Sequence, residues 1–534
     1  MTRKVYIPVF LTLFLCASNL TGQESPVEKG LNAISLNAIK AQLGFLASDW
    51  TEGRETGQKG EYISGDYIAS MLQLYGVKPF GDYPQGRGFS GMQMTSERTY
   101  FQNFVIIKTQ PGEQQVLKLK TKEGETVKYI DLVLNVDYTL RPTGQSIEIE
   151  APVVFTGYGL KSDKLKINDL GKTDVKGKFI LKISGAPAFA REKLTPSELS
   201  AASREFENSA MSMGAAGIIE FSPESVTAGT GNRPEFLNMA PSEISNRPSQ
   251  SGARYSLPSK NREETFPRIY LSASSANELL KGTGINIGNF MRKAGNNESY
   301  TLPVITGKSV YLKSEVITTP LQARNVLGII EGNNPEEIIV LGAHYDHLGM
   351  HDGYIWNGAD DNGSGTVGVM TLAKAPMETG QKPEKTIIIA LWTGEELGLL
   401  GSRYFISNSG FPVRNIKLNV NFDMISRYIS DDDTKKVIMT YTKSFPAFRS
   451  ITEENIQKHG IDLSIEYQPS DDPPGGSDHR NFVSAGIPVM RFKPGHREEY
   501  HTPDDETNST DWDIMEKIIK LSFANIWYLA NNKW

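Results

Sequence analysis

Residues 386–402 read TIIIALWTGEELGLLGS, a continuous apolar run followed by two adjacent glutamates, Glu395 and Glu396. Continuous apolar runs at 338–341 and 488–492 lead towards His344 and His501, and a segment at 416–422, in which apolar residues alternate with lysine and asparagine, leads to Asp423. Continuous apolar runs are typical of parallel strands that are buried on both faces. In open α/β sheets, ligand sites form at the carboxyl ends of such strands. The sequence therefore predicts an α/β fold with a polar site at one edge of its sheet.

The residues that follow these runs are of the types that bind divalent metal ions. Carboxylates and imidazoles without cysteine suit a metal bound through nitrogen and oxygen. Adjacent glutamates point in different directions, so one can bind metal while the other reaches the attacking water. This combination indicates a metal-dependent hydrolase. The candidates are His344, Asp361, Glu395, Glu396, Asp423 and His501.

The local sequence also predicts roles for residues next to these candidates. Asp346 stands two positions after His344 and could accept the second N–H of that ring, whereas His347 is not expected to bind metal. Glu395 and Glu396 are expected to open a helix, where acids stabilise the N-terminus by about 0.3–1 kcal/mol. No G-x-S-x-G and no H-E-x-x-H segment occurs, which argues against a serine hydrolase elbow and a thermolysin-type site.

Length, charge and leader limit the class of protein. A chain of 534 residues is expected to form two or three domains, and a net charge of -6 argues against a nucleic-acid-binding protein. Arg3 and Lys4 precede an apolar run at 5–17 that is too short to span a bilayer, so it is predicted to be a signal peptide cleaved near Gly22 or Gln23. The expected location is secreted or periplasmic, with no transmembrane segment.

The single cysteine, Cys16, lies in this leader and leaves an alternative open. It could be the lipid-anchored first residue of a mature lipoprotein, although the bulky Leu15 before it speaks against that. The mature chain is expected to contain no disulfide, so its stability depends on packing and metal.

The middle of the chain differs from its two ends. Helices are predicted around 39–46, 62–75, 199–213 and 275–280, and extended segments at 101–108 and 116–121 are separated by the turn residues PGE at 111–113. All seven histidines lie at 344 or beyond. We therefore predict a signal peptide at 1–22, a catalytic domain in two parts at 23–134 and 296–534, and an inserted non-catalytic domain at 135–295.

Five segments of the second half carry a family resemblance. They are AHYDH at 343–347, GADDNGSG at 358–365, GEELGLLGS at 394–402, NFDMIS at 421–426 and YHTPDD at 500–505. With these segments in this order, the chain resembles the two-zinc aminopeptidases related to bacterial leucyl aminopeptidase, aminopeptidase Y and glutamate carboxypeptidase. The insert is similar to a protease-associated domain, and FLASDWTEGRETG at 45–57 is similar to the leading segment of the family.

The resemblance implies a fold and a role for each candidate. The fold would be a mixed, mostly parallel sheet flanked by helices, with a β-rich α+β insert. Glu395 would be the general base, Asp346 the partner of His344, and Tyr500 a hydrogen-bond donor to the developing oxyanion. The peptide bond after Asp361 would be cis. Two zinc ions per chain would be held by His344 and Asp423, by Glu396 and His501, and by Asp361 as the bridge.

The function implied is that of a secreted exopeptidase that hydrolyses the N-terminal residue of peptides through a metal-bridging hydroxide and a glutamate general base. A carboxypeptidase of the same fold is the nearest alternative, with Arg427 or Arg480 to hold a substrate carboxylate. A receptor-like binding protein without catalysis and a one-zinc glutaminyl cyclase are the others. The complete ligand set argues against the receptor.

Overall fold

The computed structural model describes residues 24–84, 97–141, 143–223, 253–258, 267–428, 430–495 and 497–534. The predicted leader, its cleavage site and Cys16 lie outside these residues, as does most of the loop-rich stretch at 225–262. Within the described ranges, no helix is both long and apolar enough to cross a bilayer.

Twelve helices are described, and two of them begin with a capping box. Ser25 and Thr195 each accept the backbone N–H of a glutamate three residues on, and that glutamate accepts the N–H of the cap in return. The helices are α1 (Pro26–Ala33), α2 (Leu36–Leu46), α3 (Lys59–Leu74), α4 (Ala188–Lys193), α5 (Pro196–Ser212), α6 (Ala273–Leu280), α7 (Ile287–Gly295), α8 (Gly365–Glu378), α9 (Leu400–Ser407), α10 (Ala447–His459), α11 (His479–Ser484) and α12 (Trp512–Asn531).

The described strands alternate with these helices in the second half of the chain, as the apolar runs predicted. They are β1 (Lys78–Pro79), β2 (Phe101–Glu123), β3 (Thr126–Leu132), β4 (Tyr138–Arg141), β5 (Ile147–Phe155), β6 (Lys161–Ser162), β7 (Ile167–Asn168), β8 (Phe179–Ile183), β9 (Gly217–Phe221), β10 (Arg254–Ser256), β11 (Arg268–Leu271), β12 (Lys308–Ile330), β13 (Asn334–His344), β14 (Gly349–His351), β15 (Tyr354–Trp356), β16 (Lys385–Trp392), β17 (Ile416–Phe422), β18 (Lys436–Tyr441), β19 (Ser464–Pro469) and β20 (Val489–Lys493).

One mixed sheet carries the candidate residues. The part that carries them has the order β19-β18-β20-β17-β13-β16-β12, and the sheet continues from β12 through β5, β8, β9 and β11 to β4. Strand β13 pairs in parallel with β16 and β17, and β17 pairs in parallel with β20. Two antiparallel pairs, β18 with β20 and β12 with β16, make the sheet mixed. The predicted α/β fold with a mostly parallel sheet flanked by helices is confirmed.

Helices cover both faces of this sheet. On one face, alternate strand residues such as Leu341 and Ile389 pack against α2, α3, α8 and α12 in the largest apolar core. On the other face, Val340 and Ile388 pack with Trp392, Phe405 and Phe482, which brings α9 and α11 against the sheet. Burial on both faces explains why these strands are continuous apolar runs.

The middle block has a core of its own that continues beyond its predicted ends. Strands β5, β8, β9 and β11 pair in parallel and pack with α4, α6 and α7 around Phe179, Leu181 and Ile269. The same core includes Leu117 and Leu119 of β2 and Val310 and Leu312 of β12. The boundaries at 135 and 295 and the likeness to a protease-associated domain stay predictions.

The turn predicted at 111–113 is wrong. Strand β2 spans these residues and pairs with β12 on both sides of 112–114, at 101–111 and at 115–121. Pro111 lies opposite Val316, next to a shift in the pairing register, and the side chain of Gln115 donates to the backbone oxygens of Gly112 and Glu315. An irregularity of this kind accommodates proline and glycine inside a strand.

Candidate metal site

Parallel strands bring the candidate residues to one edge of the sheet. His344 is the last residue of β13, Asp423 directly follows β17, and Glu395 and Glu396 follow β16 by a few residues. Asp361 lies in the irregular turn at 359–364 that leads into α8, and His501 follows β20 through a loop. Elements far apart in the chain therefore supply one compact polar cluster.

Asp361 lies at the centre of this cluster. Its Oδ1 is 3.4 Å from Nε2 of His344, and its Oδ2 is 2.8 Å from Nε2 of His501. The Asp361 side chain is 4% exposed. Each oxygen of one carboxylate thus faces a different histidine, which is the arrangement expected of a residue that bridges two metal ions.

The remaining carboxylates extend the two sides of Asp361. On the first side, Oδ1 of Asp423 lies 3.8 Å from Nε2 of His344, and single ligand atoms of His344, Asp361 and Asp423 lie within 4.8 Å of one another. On the second side, Oε1 of Glu396 lies 3.4 Å from Nε2 of His501. The five predicted metal ligands therefore form two groups that share Asp361.

His347 also belongs to the second side, although the sequence did not predict it as a metal ligand. Its Nδ1 lies 3.0 Å from Oε1 of Glu396, and its ligand atom lies within 4.8 Å of those of Asp361 and Glu396. Its ring packs edge-on against that of His501, with 5.8 Å between centroids. A histidine three positions after a ligand gives no signal of this in the sequence, because the contact depends on the turn that follows β13.

The two adjacent glutamates diverge. Oε2 of Glu395 lies 3.9 Å from Nε2 of His344, on the first side, whereas Glu396 faces His347 and His501. The prediction that they open a helix is wrong, because α9 begins only at Leu400. Their backbone N–H groups instead donate to the carboxylate of Asp346, at 3.2 and 3.4 Å. Asp346 thus holds the turn from which both glutamate side chains reach the cluster.

Asp346 therefore has a different partner from the one predicted. Its Oδ1 is 3.8 Å from Nδ1 of His344, too far for a hydrogen bond, and that nitrogen lies 3.1 Å from the backbone oxygen of Asp346. The carboxylate accepts the hydroxyl of Thr56 at 2.9 Å as well as the two glutamate N–H groups. Asp346 is fully buried and orients the Glu395–Glu396 turn.

The loop that carries Asp361 is held by its neighbours. The peptide bond between Asp361 and Asn362 is cis, as the resemblance implied. The side chain of Asn362 donates to the backbone oxygen of Phe422 and accepts the N–H of Met424, the residues on either side of Asp423. Gly358 has φ +54, and a Cβ there would lie 2.2 Å from the backbone oxygen of Asp361. These contacts lock Asp361 against Asp423.

A second layer of charge lies behind this loop. The two carboxylate oxygens of Asp505 accept the N–H groups of Asp360 and Asp361, each at 2.9 Å, and Oδ1 also pairs with Arg427 at 3.0 Å. Asp360 accepts both the N–H and the hydroxyl of Ser426. All three charged residues are buried. Asp505 thus connects the last motif of the chain to the backbone of the central aspartate.

Burial and close charges shift the pKa values of the cluster in opposite directions. Burial, reinforced by Glu396, raises the pKa of Glu395 well above its usual range although His344 opposes this. For Asp361, burial is outweighed by hydrogen bonds with His344 and His501, which hold its pKa well below the usual range. Burial alone would lower the pKa of His501, but Asp361 and Glu396 raise it to about 9. Glu395 is thus set apart as the carboxyl that most readily takes a proton.

Tyr500 lies beside the cluster. It is 38% exposed, and its ring stacks on that of His501 with 3.8 Å between centroids. Burial and then the carboxylates of Asp361 and Glu396 raise its pKa. The backbone oxygen of His501 accepts the indole N–H of Trp356 at 3.2 Å, which holds this loop over the site.

Comparisons with known proteins show which proteins the part of the chain that carries this site is similar to. Residues 325–526 match the model described as Peptidase family M28. Leucine aminopeptidase 2 of Trichophyton rubrum and probable leucine aminopeptidase 2 of Trichophyton verrucosum (strain HKI 0517) are each 34% identical over 171 residues, which are 31% of this chain and 32% of those proteins. The chain thus spans about a third of the length of the curated relatives that it matches.

A solved structure shows that the likeness in fold extends further. The aminopeptidase from Aneurinibacillus sp. strain AM-1 superposes with a TM-score of 0.55 over 95% of this chain and 97% of that one, at 14% identity. At that identity the superposition shows the fold alone. The family resemblance stated for the five segments is confirmed by the family match, and the mixed α/β fold by the superposition.

Proposed function

We propose that the protein is a zinc-dependent aminopeptidase of peptidase family M28, the family whose model residues 325–526 match. It would hydrolyse the N-terminal residue of peptide substrates. The observation that carries the proposal is the position of Asp361, whose two oxygens face two separate sets of metal-binding side chains.

The donor set fits zinc. Carboxylate oxygens and imidazole nitrogens are ligands that Zn²⁺ accepts. Several carboxylates crowded into a buried space also need cations to offset their mutual repulsion. We propose that the first ion is held by His344, Asp361 and Asp423 and the second by Asp361, Glu396 and His501, about two ions per chain. Bound zinc would polarise the scissile carbonyl and make a water acidic.

Glu395 is proposed as the general base. Its side chain lies on the first side of the cluster, only 10% exposed, and belongs to neither proposed ligand set. A carboxyl whose pKa is raised by burial can take a proton from the attacking water and pass it to the leaving amine. Asp346 acts through the backbone by holding the turn that presents Glu395, and Tyr500 is proposed to hydrogen-bond the developing oxyanion.

The charge of the site supports cleavage at a free amino terminus. Five carboxylates, those of Asp346, Asp361, Glu395, Glu396 and Asp423, against two zinc ions leave the site negative. The charge of the buried Arg427 is offset by Asp505, with Nη2 and Oδ1 3.0 Å apart. A substrate ammonium group is favoured in such a field.

Neither arginine considered for a carboxypeptidase is well placed to clamp a substrate carboxylate. Arg427 is buried, and its Nη2 donates to Asp505 and Ser509, whereas its Nε and Nη1 have no hydrogen-bond partner among the residues that the structure describes. Arg480 donates to Asp472 and to the backbone oxygen of Pro473. Because Arg427 is buried beside Asp505 and Arg480 is bound within the chain, we favour the aminopeptidase over the carboxypeptidase.

The direction of cleavage is tested with matched peptides. The zinc-loaded protein is expected to cut an unblocked dipeptide and its C-terminally amidated form at similar rates, and to leave the N-acetylated dipeptide intact. A panel of free aminoacyl substrates read by liquid chromatography measures this. Cleavage of the N-acetylated peptide that is lost on amidating the C-terminus would instead establish a carboxypeptidase.

The setting of the enzyme is proposed from the leader. We infer that residues 1–22 direct secretion or periplasmic export, with lipid attachment through Cys16 as the alternative. Residues 135–295 are proposed as a protease-associated domain that supplies no metal ligand, since every proposed ligand lies at 344 or beyond.

A further inference from the structure

We propose that Arg54 is a positioning residue of the metal site, which holds the ligand-bearing segments in place before metal binds. This inference rests on the proposed metal-binding function. Arg54 is 1% exposed and lies nearly 300 positions before the segments that it contacts. It touches no proposed ligand side chain through its hydrogen bonds, and it reaches them only through the backbone.

The guanidinium group of Arg54 donates to four backbone oxygens. Nε donates to Tyr345 at 2.8 Å, and Nη2 donates to Gly358 at 2.9 Å. Nη1 donates to Asn357 at 2.5 Å and to Leu46, the last residue of α2, at 2.6 Å. Three chain segments therefore meet on one planar group, and each buried donor has a partner.

Two of these segments carry proposed ligands. Tyr345 lies between His344 and Asp346, and Gly358 opens the loop that leads to Asp361. The backbone oxygen of Arg54 also accepts the N–H of His347 at 3.1 Å. The rigid fork of an arginine sets the spacing of the carbonyls bound to it, which a flexible lysine does not do. Arg54 thus sets the distance between the first ligand and the bridging ligand.

The positive charge of Arg54 and its hydrogen bonds are expected to have opposite effects on metal affinity. Burial lowers its pKa to about 10, while Asp505, Asp361, Asp346 and Glu396 oppose that shift, so the group stays cationic at neutral pH. A buried cation next to a metal site repels the metal, and removing it alone would strengthen metal binding. Loss of the four hydrogen bonds would loosen the ligand segments and weaken metal binding. The proposal is that the geometric effect is the larger one.

Arg54→Lys separates the two effects because it keeps the charge and loses the fork. Metal-free parent and variant are titrated with zinc against a competing fluorescent chelator. We expect the zinc affinity of Arg54→Lys to be about 10-fold or more weaker, the range found when groups that orient metal ligands are removed. Arg54→Met, which loses charge and fork together, is also expected to bind zinc more weakly than the parent.

Arg324→Lys is the matched control. Arg324 is a largely buried arginine whose guanidinium group donates to the backbone oxygen of Tyr62 and pairs with Asp66, both in α3, and lies over the ring of Phe101. Its replacement is expected to lower the melting temperature of the metal-free protein without changing zinc affinity. A purely structural role for Arg54 would give the same pattern.

Three results would overturn the proposal. They are an unchanged zinc affinity in Arg54→Lys, a tighter zinc affinity in Arg54→Met than in the parent, and failure of Arg54→Lys to fold where Arg324→Lys folds. Failure to fold would mean that Arg54 stabilises the whole chain rather than the metal site in particular. If the parent itself binds no zinc, the proposed function fails, and that outcome is distinct from all three.

Discussion

Glu395→Gln is expected to lower turnover by about 100-fold or more while it leaves the metal content and the fold unchanged. The amide keeps the size of the side chain but cannot take a proton from water. Because Glu395 lies outside both proposed ligand sets, its loss should not release zinc. The measurements are kcat on an unblocked aminoacyl substrate and zinc content of the dialysed protein.

The neighbouring residue provides the control for this variant. Glu396→Gln removes a proposed ligand of the second ion, since Oε1 of Glu396 faces His347 and His501. It is expected to weaken zinc binding, with activity partly restored by excess zinc. If Glu395→Gln retains nearly the parent kcat, or loses zinc as Glu396→Gln does, the division of roles between the two glutamates is wrong.

Asp361→Ala is expected to abolish binding of both metal ions and to lower kcat/KM by about 1000-fold or more. One carboxylate faces a histidine on each side, so its removal deprives both proposed ions of a ligand. Metal polarisation of a carbonyl is worth several kcal/mol of transition-state stabilisation, and each 1.4 kcal/mol corresponds to about tenfold in rate. Zinc content and hydrolysis rate are measured on the same sample.

Asp504→Asn is the matched control for Asp361→Ala. Asp504 lies in the same final segment as His501 but is exposed. It is expected to keep both the zinc and the activity of the parent. Circular dichroism of Asp361→Ala checks that its fold is intact. Retention of one zinc ion in Asp361→Ala would mean that the two sides of the cluster are independent sites and that Asp361 bridges nothing.

Much of the site could be predicted because its residues stand directly after recognisable strands. His344 and Asp423 end or follow apolar runs, and parallel pairing brings the ends of such runs together. The residues that hold the ligands could not be predicted in the same way. Arg54 and Asn362 donate to backbone oxygens of distant segments. Every residue has a backbone oxygen, so the sequence does not show which residue accepts such a hydrogen bond.

The wrong predictions have a common physical cause. Glu395 and Glu396 precede a helical pattern, but a buried carboxylate, Asp346, takes their N–H groups and delays the helix to Leu400. The residues at 111–113 carry turn signals, but pairing with the long strand β12 overrides them. In both cases contacts distant in sequence outweigh a local preference.

The number of zinc ions bound per chain is the direct test of a two-metal site bridged by Asp361. The metal-free protein is titrated with zinc, and bound metal is measured by elemental analysis together with the rate of hydrolysis of an unblocked aminoacyl substrate. Binding is expected to reach a plateau at about two ions per chain, and activity is expected to appear as the sites fill. A plateau at one ion, or full activity in the metal-free protein, would contradict a two-metal site.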